Sequence, residues 1–186
     1  MIGEDSLISA GILPAELKKA KALIYDNCGF EFTSLLFNTE SLAYQACSFE
    51  LNKKKIQYRL SKITPKKTGQ FVAIWKRNKD GITQPFDISD DLDFMIIAAK
   101  RENDFGQFIF PKSILAEKGI ISGNNKEGKR GIRIYPPWDH VTNKEAEKTQ
   151  IWQTKYFIKI DDASRTDIET LNSVSNLLNI PTLKQR

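Results

Sequence analysis

Histidine and cysteine are nearly missing from this chain: one His and two Cys stand among 186 residues. Zinc sites are built from clusters of those residue types, so a zinc enzyme or zinc finger is excluded. A Ser-His-Asp hydrolase would have His140 as its one base, in a segment that reads as a loop, with no Gly-x-Ser-x-Gly elbow beside it. Neither a Walker A string nor Gly-x-Gly-x-x-Gly occurs, which leaves nucleotide-cofactor folds without a motif. Two cysteines make no disulfide framework. Cys28 and Cys47 read as small buried hydrophobes of a protein in a reducing, cytoplasmic setting. Long apolar runs are missing as well. The longest, Phe94 to Ala99, has strand length, far short of the roughly 18–20 residues of a membrane helix. The first residues carry Glu4 and Asp5 and no basic start, so they do not read as a signal peptide. No membrane insertion is expected.

A further absence is regional. No acid occurs between Glu50 and Asp80, yet that window holds Lys53, Lys54, Lys55, Arg59, Lys62, Lys66, Lys67, Lys76, Arg77 and Lys79. Elsewhere the remaining 18 cations face all 23 acids. An asymmetry of this kind draws polyanions to one region.

What is present is a globular pattern. Leu17, Ala20, Leu23 and Ile24 recur at helical spacing within 13–27, and Gly29 suits the helix end. Residues 30–37 suit a strand or a short helix. From Tyr44 the period becomes two: Cys47, Phe49 and Leu51 share a side, and Ile56, Tyr58 and Leu60 return after a turn at 52–54. The stretch 64–69 reads as a loop. Residues 70–77 and 93–99 read as buried strands of a central sheet, because both their faces are apolar. A short strand at 107–110, a helix over 111–118 closed by Gly119, and a strand at 131–135 follow. Asn143 is the expected cap of a helix reaching about Lys155, and Ser164 with Asp167 the capping box of a last amphipathic helix. The sum is one α/β (α+β) domain over residues 1–186, a central mixed sheet of five or six strands flanked by helices. It divides into an N-terminal helix region (1–34), a core (35–160) and a C-terminal helix (161–186).

Three constellations carry chemistry. In the first, Lys66 and Lys67 sit in a Pro/Gly stretch and offer ammonium and backbone N–H groups to phosphate. Trp75 and Arg77, two residues apart, form a candidate stacking-and-clamping pair, with a core role for Trp75 as the alternative. In the second, Gly128 and Gly131 flank Lys129 and Arg130, Arg133 follows, and Trp138 ends the string. Arginine suits phosphate through its planar fork. In the third, Lys112 and Ser113 stand where a helix starts after Pro111, a place that favours anions. Acids bear on cleavage. A metal-dependent nuclease needs converging carboxylates. Glu50 and Asp93 are the candidates for binding Mg²⁺, and the next expected position falls near Gln107, an amide that cannot serve as an anionic ligand.

At these residues the chain resembles the MepB family of small bacterial proteins. The likeness lies in Phe49-Glu50-Leu51-Asn52, Lys62-Ile63-Thr64-Pro65-Lys66-Lys67-Thr68-Gly69-Gln70-Phe71 and Trp75-Lys76-Arg77. It continues in Phe105-Gly106-Gln107-Phe108-Ile109-Phe110-Pro111-Lys112-Ser113, in Gly128 through Trp138, and in Lys148-Thr149-Gln150 with Trp152-Gln153. The resemblance implies a core similar to PD-(D/E)xK endonucleases, nucleic-acid binding, and association with multidrug efflux operons. DNA or RNA is therefore the expected partner. Lys66, Lys67, Arg77, Lys112, Lys129, Arg130 and Arg133 would contact phosphates, and Trp75 or Trp138 would stack on a base. No cofactor is expected of a binder. A nuclease would use Mg²⁺ with Glu50, Asp93 and the Gln107 position. A third reading is an efflux-associated protein that binds small ligands, with Phe105, Trp138 and Trp152 lining a pocket.

Overall fold

Period-two segments become strands, and the strands divide between two principal sheets and one small ribbon. A computed structural model of the chain describes residues 12–38, 43–161 and 167–182. The six-stranded sheet holds, in spatial order, Phe32–Phe37 (β1), Cys47–Leu51 (β2), Lys54–Leu60 (β3), Phe94–Arg101 (β8), Asp104–Pro111 (β9) and Phe157–Lys159 (β11). Only β3 and β8 pair in parallel, so the sheet is mixed, as the sequence leads one to expect. The β2–β3 hairpin turns at Asn52 and Lys53, both with positive φ, the geometry that matches the twist of two antiparallel strands.

Each strand sends alternate side chains to opposite faces. Phe94, Ile96 and Ala98 join Phe49, Tyr58 and Ile109 in one core. Over it lie the helix Ala15–Ala20 (α1), which continues as a π turn through Tyr25, and the helix Ile168–Leu178 (α4). Asp167 caps α4 by accepting from Thr170 N at 2.7 Å, and Ser164 lies outside the described residues. Met95, Ile97, Phe108 and Phe110 face the other way, into a second core with Val72, Ile74, Ile132 and Ile134. That core is closed by the helices Lys112–Glu117 (α2) and Lys144–Gln153 (α3), the latter capped by Asn143, which accepts from Ala146 N at 2.9 Å. Cys28 and Cys47 are free thiols, and burial pushes the Cys47 thiol up to about 12, so neither is poised to react. No helix among the described residues is long and apolar enough to cross a membrane.

The expected strand over 70–77 needs correction. It begins at Lys67 and ends at Ala73 (β5), and it is the middle of a separate three-stranded sheet. Its neighbours are Lys62–Thr64 (β4) and Gly131–Ile134 (β10). Both faces of 70–77 are apolar, but only one of them meets the second core. The expected loop at 64–69 is thus a tight hairpin between β4 and β5. Lys76–Arg77 (β6) leaves the sheet and pairs with Thr83–Gln84 (β7). β9 also starts earlier than expected, at Asp104, because the chain turns at 102–103.

Candidate nucleic-acid interface

β10 pairs antiparallel with β5, placing Arg133 opposite Phe71 and Gly131 opposite Ala73. On the other side of β5, Lys62 stands opposite Phe71. Ile132, Ile134 and Val72 alternate into the core, so Arg133, Phe71 and Lys62 fall on the opposite face. Arg133 donates to the Thr68 and Gly69 carbonyls at 3.3 and 3.2 Å and to Thr64 Oγ1 at 2.8 Å. Two stretches 65 positions apart in sequence thereby become one surface. Its other cations are Lys66 and Lys67 at the hairpin tip and Lys129 before β10, all exposed. Among the described residues no carboxylate pairs with Lys66, Lys67, Lys129 or Arg133. Arg133 bonds only to neutral acceptors, which orient the guanidinium without cancelling its charge.

Two glycines let rings lie close against this sheet. A Cβ on Gly131 would stand 2.5 Å from the Phe71 ring. One on Gly69, whose φ is +80°, would stand 2.6 Å from the Tyr135 ring.

β10 is an edge strand, and a cleft of about 370 Å³ runs along it. Lys118, Lys129, Arg133, Tyr135, Thr149 and Trp152 line its walls. Gln153 on α3 covers the strand edge. Its Nε2 donates to Arg133 O at 3.0 Å, and its Oε1 accepts from Tyr135 N at 2.8 Å. Trp152 rests on Phe110 and Tyr156, with ring centroids 5.4 and 6.5 Å away, and the Lys118 ammonium lies 5.7 Å from the indole.

A family model described as MepB-like matches residues 38–159, about two thirds of the chain. The chain belongs to the MepB-like family. Among solved structures, one described as the crystal structure of MepB matches this MepB-like chain at 33% sequence identity with a TM-score of 0.67. That match covers 73% of this chain and 89% of the other. A search of curated proteins finds no match. The MepB-like stretch contains the β4–β5 hairpin, β10 and α3, while α1 and α4 lie outside it.

The other expected contacts of this MepB-like protein are dispersed. Arg130 pairs with Glu127 at 2.8 Å and donates to Thr83 O at 3.3 Å, which ties the start of β10 to β7. Arg77 donates to Gly81 O at 2.6 Å and lies over Trp75 at 5.3 Å, so its own neighbour covers that ring face. Lys112 is half-buried and donates to Asp90 O at 2.6 Å, beside the ion pair of Lys76 with Asp90. Trp138 packs edge-on against Phe157 at 5.4 Å in the second core, and its Nε1 is buried without a partner among the described residues. Trp138 is thus half-buried, with its Nε1 covered. Phe105 is buried, in the first core. Arg59 is 1% exposed, donates to Tyr58 O at 2.8 Å and faces the Phe86 ring at 5.9 Å. Burial brings its pKa down to about 10. This cation of the acid-free window contributes nothing to the surface.

The residues of the nuclease reading are split between the sheet faces: Glu50 and Asp93 both lie beside Lys55, and Gln107 lies on the other face. Glu50 stands opposite Lys55, and Asp93 accepts from Lys55 N at 2.8 Å. The hydrogen bond that its ammonium donates to Asp91, backed by the charges of Asp91, Glu50 and Asp93, holds Lys55 above its usual value. Gln107 points to the opposite face, buried, where it accepts from the Tyr25 hydroxyl at 2.6 Å. Burial raises the pKa of that hydroxyl. Among the described residues no three His, Cys, Asp or Glu side chains gather as a metal site. Glu50, Asp93 and Gln107 do not fit a Mg²⁺ centre, since one is an amide behind the sheet and Asp93 is bound to backbone. Lys118 had no distinguishing sequence signal and reaches the cleft only through the fold, whereas Thr149, Trp152 and Gln153 stand in the stretches that carry the family resemblance.

Proposed function

We propose that this protein binds nucleic acid through its phosphate backbone, on the surface that joins the β4–β5 hairpin to β10. The observation that carries this reading is the Arg133 bridge. It aligns Lys66, Lys67, Lys129 and Arg133 on one sheet with no carboxylate paired to any of them among the described residues. Exposed lysines at a hairpin tip fit phosphates as mobile point charges, and the fixed guanidinium offers the remaining edge of its fork. Such contacts fix position rather than sequence, so specificity is low and affinity falls steeply with salt. Arg77 and Trp75 extend the surface through the β6–β7 ribbon, to which Arg130 is tied.

The test is fluorescence polarisation with labelled DNA and RNA between 50 and 200 mM salt, on the order of the range where counterion release is pronounced. Replacing Lys66, Lys67 and Lys129 by Ala is expected to weaken binding and flatten the salt slope by about 2–3, near 0.9 per lost phosphate contact. Binding that keeps both its strength and its slope in that variant sinks the proposal.

A further inference from the structure

We infer that the cleft along β10 seats one phosphorylated aromatic unit, a single nucleotide, either free or as one unit of a bound strand. The inference deepens the proposed function and rests on it for the kind of ring. Four features of the cleft select the ligand. Its volume of about 370 Å³ lies at the small end of ligand sites, enough for one base with its sugar phosphate. Its walls offer two aromatic rings, Trp152 and Tyr135, and every planar base has a face that stacks on such a ring. Its charge is positive: Lys118, Lys129 and Arg133 line it, and no carboxylate among the described residues does. Lys118 shares its charge with Glu117 at 2.9 Å, so the phosphate falls to Lys129 and Arg133. Finally, Gln153 occupies the Arg133 carbonyl and the Tyr135 N–H on the outer edge of the strand. A peptide strand that docked by extending the sheet would need those groups, so strand addition at β10 is closed.

The arrangement also explains the position of the cleft. Arg133 belongs to both regions. Its side chain reaches the hairpin, and it lines the cleft beside Trp152. A chain whose phosphates run over Lys66 and Lys67 can pass Arg133 and turn one base inward against the indole. Trp152 is thus a contact residue for the base, and Thr149 offers a hydroxyl at the same wall.

The experiment uses the full chain and follows the three tryptophan indole N–H signals by NMR, with the Trp152 signal assigned through Trp152→Phe. Three probes are titrated: adenosine 5′-monophosphate, ribose 5-phosphate, and a thymidine octamer, whose affinity is also read by polarisation. The expected result is that the octamer shifts the Trp152 signal and leaves in place that of Trp138, whose Nε1 is buried. A shift with adenosine 5′-monophosphate as well assigns the cleft to free nucleotides, and a shift with the octamer alone assigns it to one unit of a strand. Trp152→Leu is expected to weaken the octamer roughly tenfold, the loss of one stacked base. Trp152→Phe keeps a ring against Phe110 and Tyr156 and should lose less, which guards against a variant that merely misfolds. Octamer binding that leaves the Trp152 signal and the Trp152→Leu affinity unchanged overturns the cleft but keeps the surface. An equal shift with ribose 5-phosphate overturns the recognition of a ring. No binding of any probe overturns the surface and the cleft together.

Discussion

The basic window of the sequence ends in two regions that use charge differently. Around the segment 87–93, cations meet partners that hold them: Lys55 pairs with Asp91, Lys76 with Asp90, and Lys112 donates to the Asp90 carbonyl. Serine 89 and the neighbouring charges of Lys76 and Lys112 keep the Asp87 carboxyl below its usual value. On the three-stranded sheet, Arg133 is fixed by neutral acceptors, and Lys66, Lys67 and Lys129 have no carboxylate among the described residues. The first region uses cations to hold a loop against a sheet. The second presents them. A run of cations in sequence is therefore no measure of a cationic surface, since acids from elsewhere fold back onto part of it.

The difference can be broken at its strongest point with Asp90→Ala. That change removes the acceptor of Asp87 N at 2.7 Å and the partner of Lys76. Two bonds to a charged group are worth about 2–4 kcal/mol together, which for a chain of this size lowers the melting temperature by roughly 5–10 °C. Nucleic-acid affinity measured below the transition should stay unchanged. A loss of affinity with no loss of stability would exchange the roles of the two regions. A smaller and opposite effect is expected from Lys129→Ala. Losing one exposed phosphate contact of about 1 kcal/mol weakens binding about fivefold and lowers the salt slope by about 0.9, with no change in melting. Lys112→Ala serves as its counterpart. Equal losses of affinity in the two variants would show that Lys112 is presented to the partner after all.

Much of the fold was legible because burial imposes periods. Alternation through Cys47, Phe49 and Leu51 and through Ile56 and Tyr58 marked a hairpin that the structure contains. Asn143 and Asp167 marked helix starts because a side-chain oxygen there satisfies a backbone N–H. What stayed illegible depends on pairing between distant strands. An apolar run such as 70–77 fits the middle of any sheet, and nothing local says that it joins β4 and β10 rather than β8. The same blindness affected charge. Arg59 looked like its neighbours in the window, yet β3 turns it inward toward Phe86. Gln107 and Glu50 were candidates for one site, but the parity of their strands sends them to opposite faces. The Arg133 bridge and the Lys118–Trp152 wall arise wholly from tertiary contacts.

The gentlest probe of the contrast is Asp139, where the balance between acid and cation is inverted. Here the carboxylate is the buried partner, and Arg101, 2.9 Å away, remains open to solvent. Burial pushes the Asp139 carboxyl above its usual value, and Arg101 opposes that shift without cancelling it. A carboxyl whose folded pKa is raised holds its proton longer in the folded state than in the unfolded one. Stability is then lost as pH rises from the unfolded value, about 3.9, through the folded one. Asp139→Asn removes this penalty. In thermal melts the variant should match or slightly exceed the native protein at pH 7, and its relative advantage should shrink as the pH falls toward 4. A variant that is less stable at pH 7 and regains the deficit at pH 4 would mean that the Arg101 pair outweighs burial. Asp139 would then belong with Asp90 among the acids that hold cations in place.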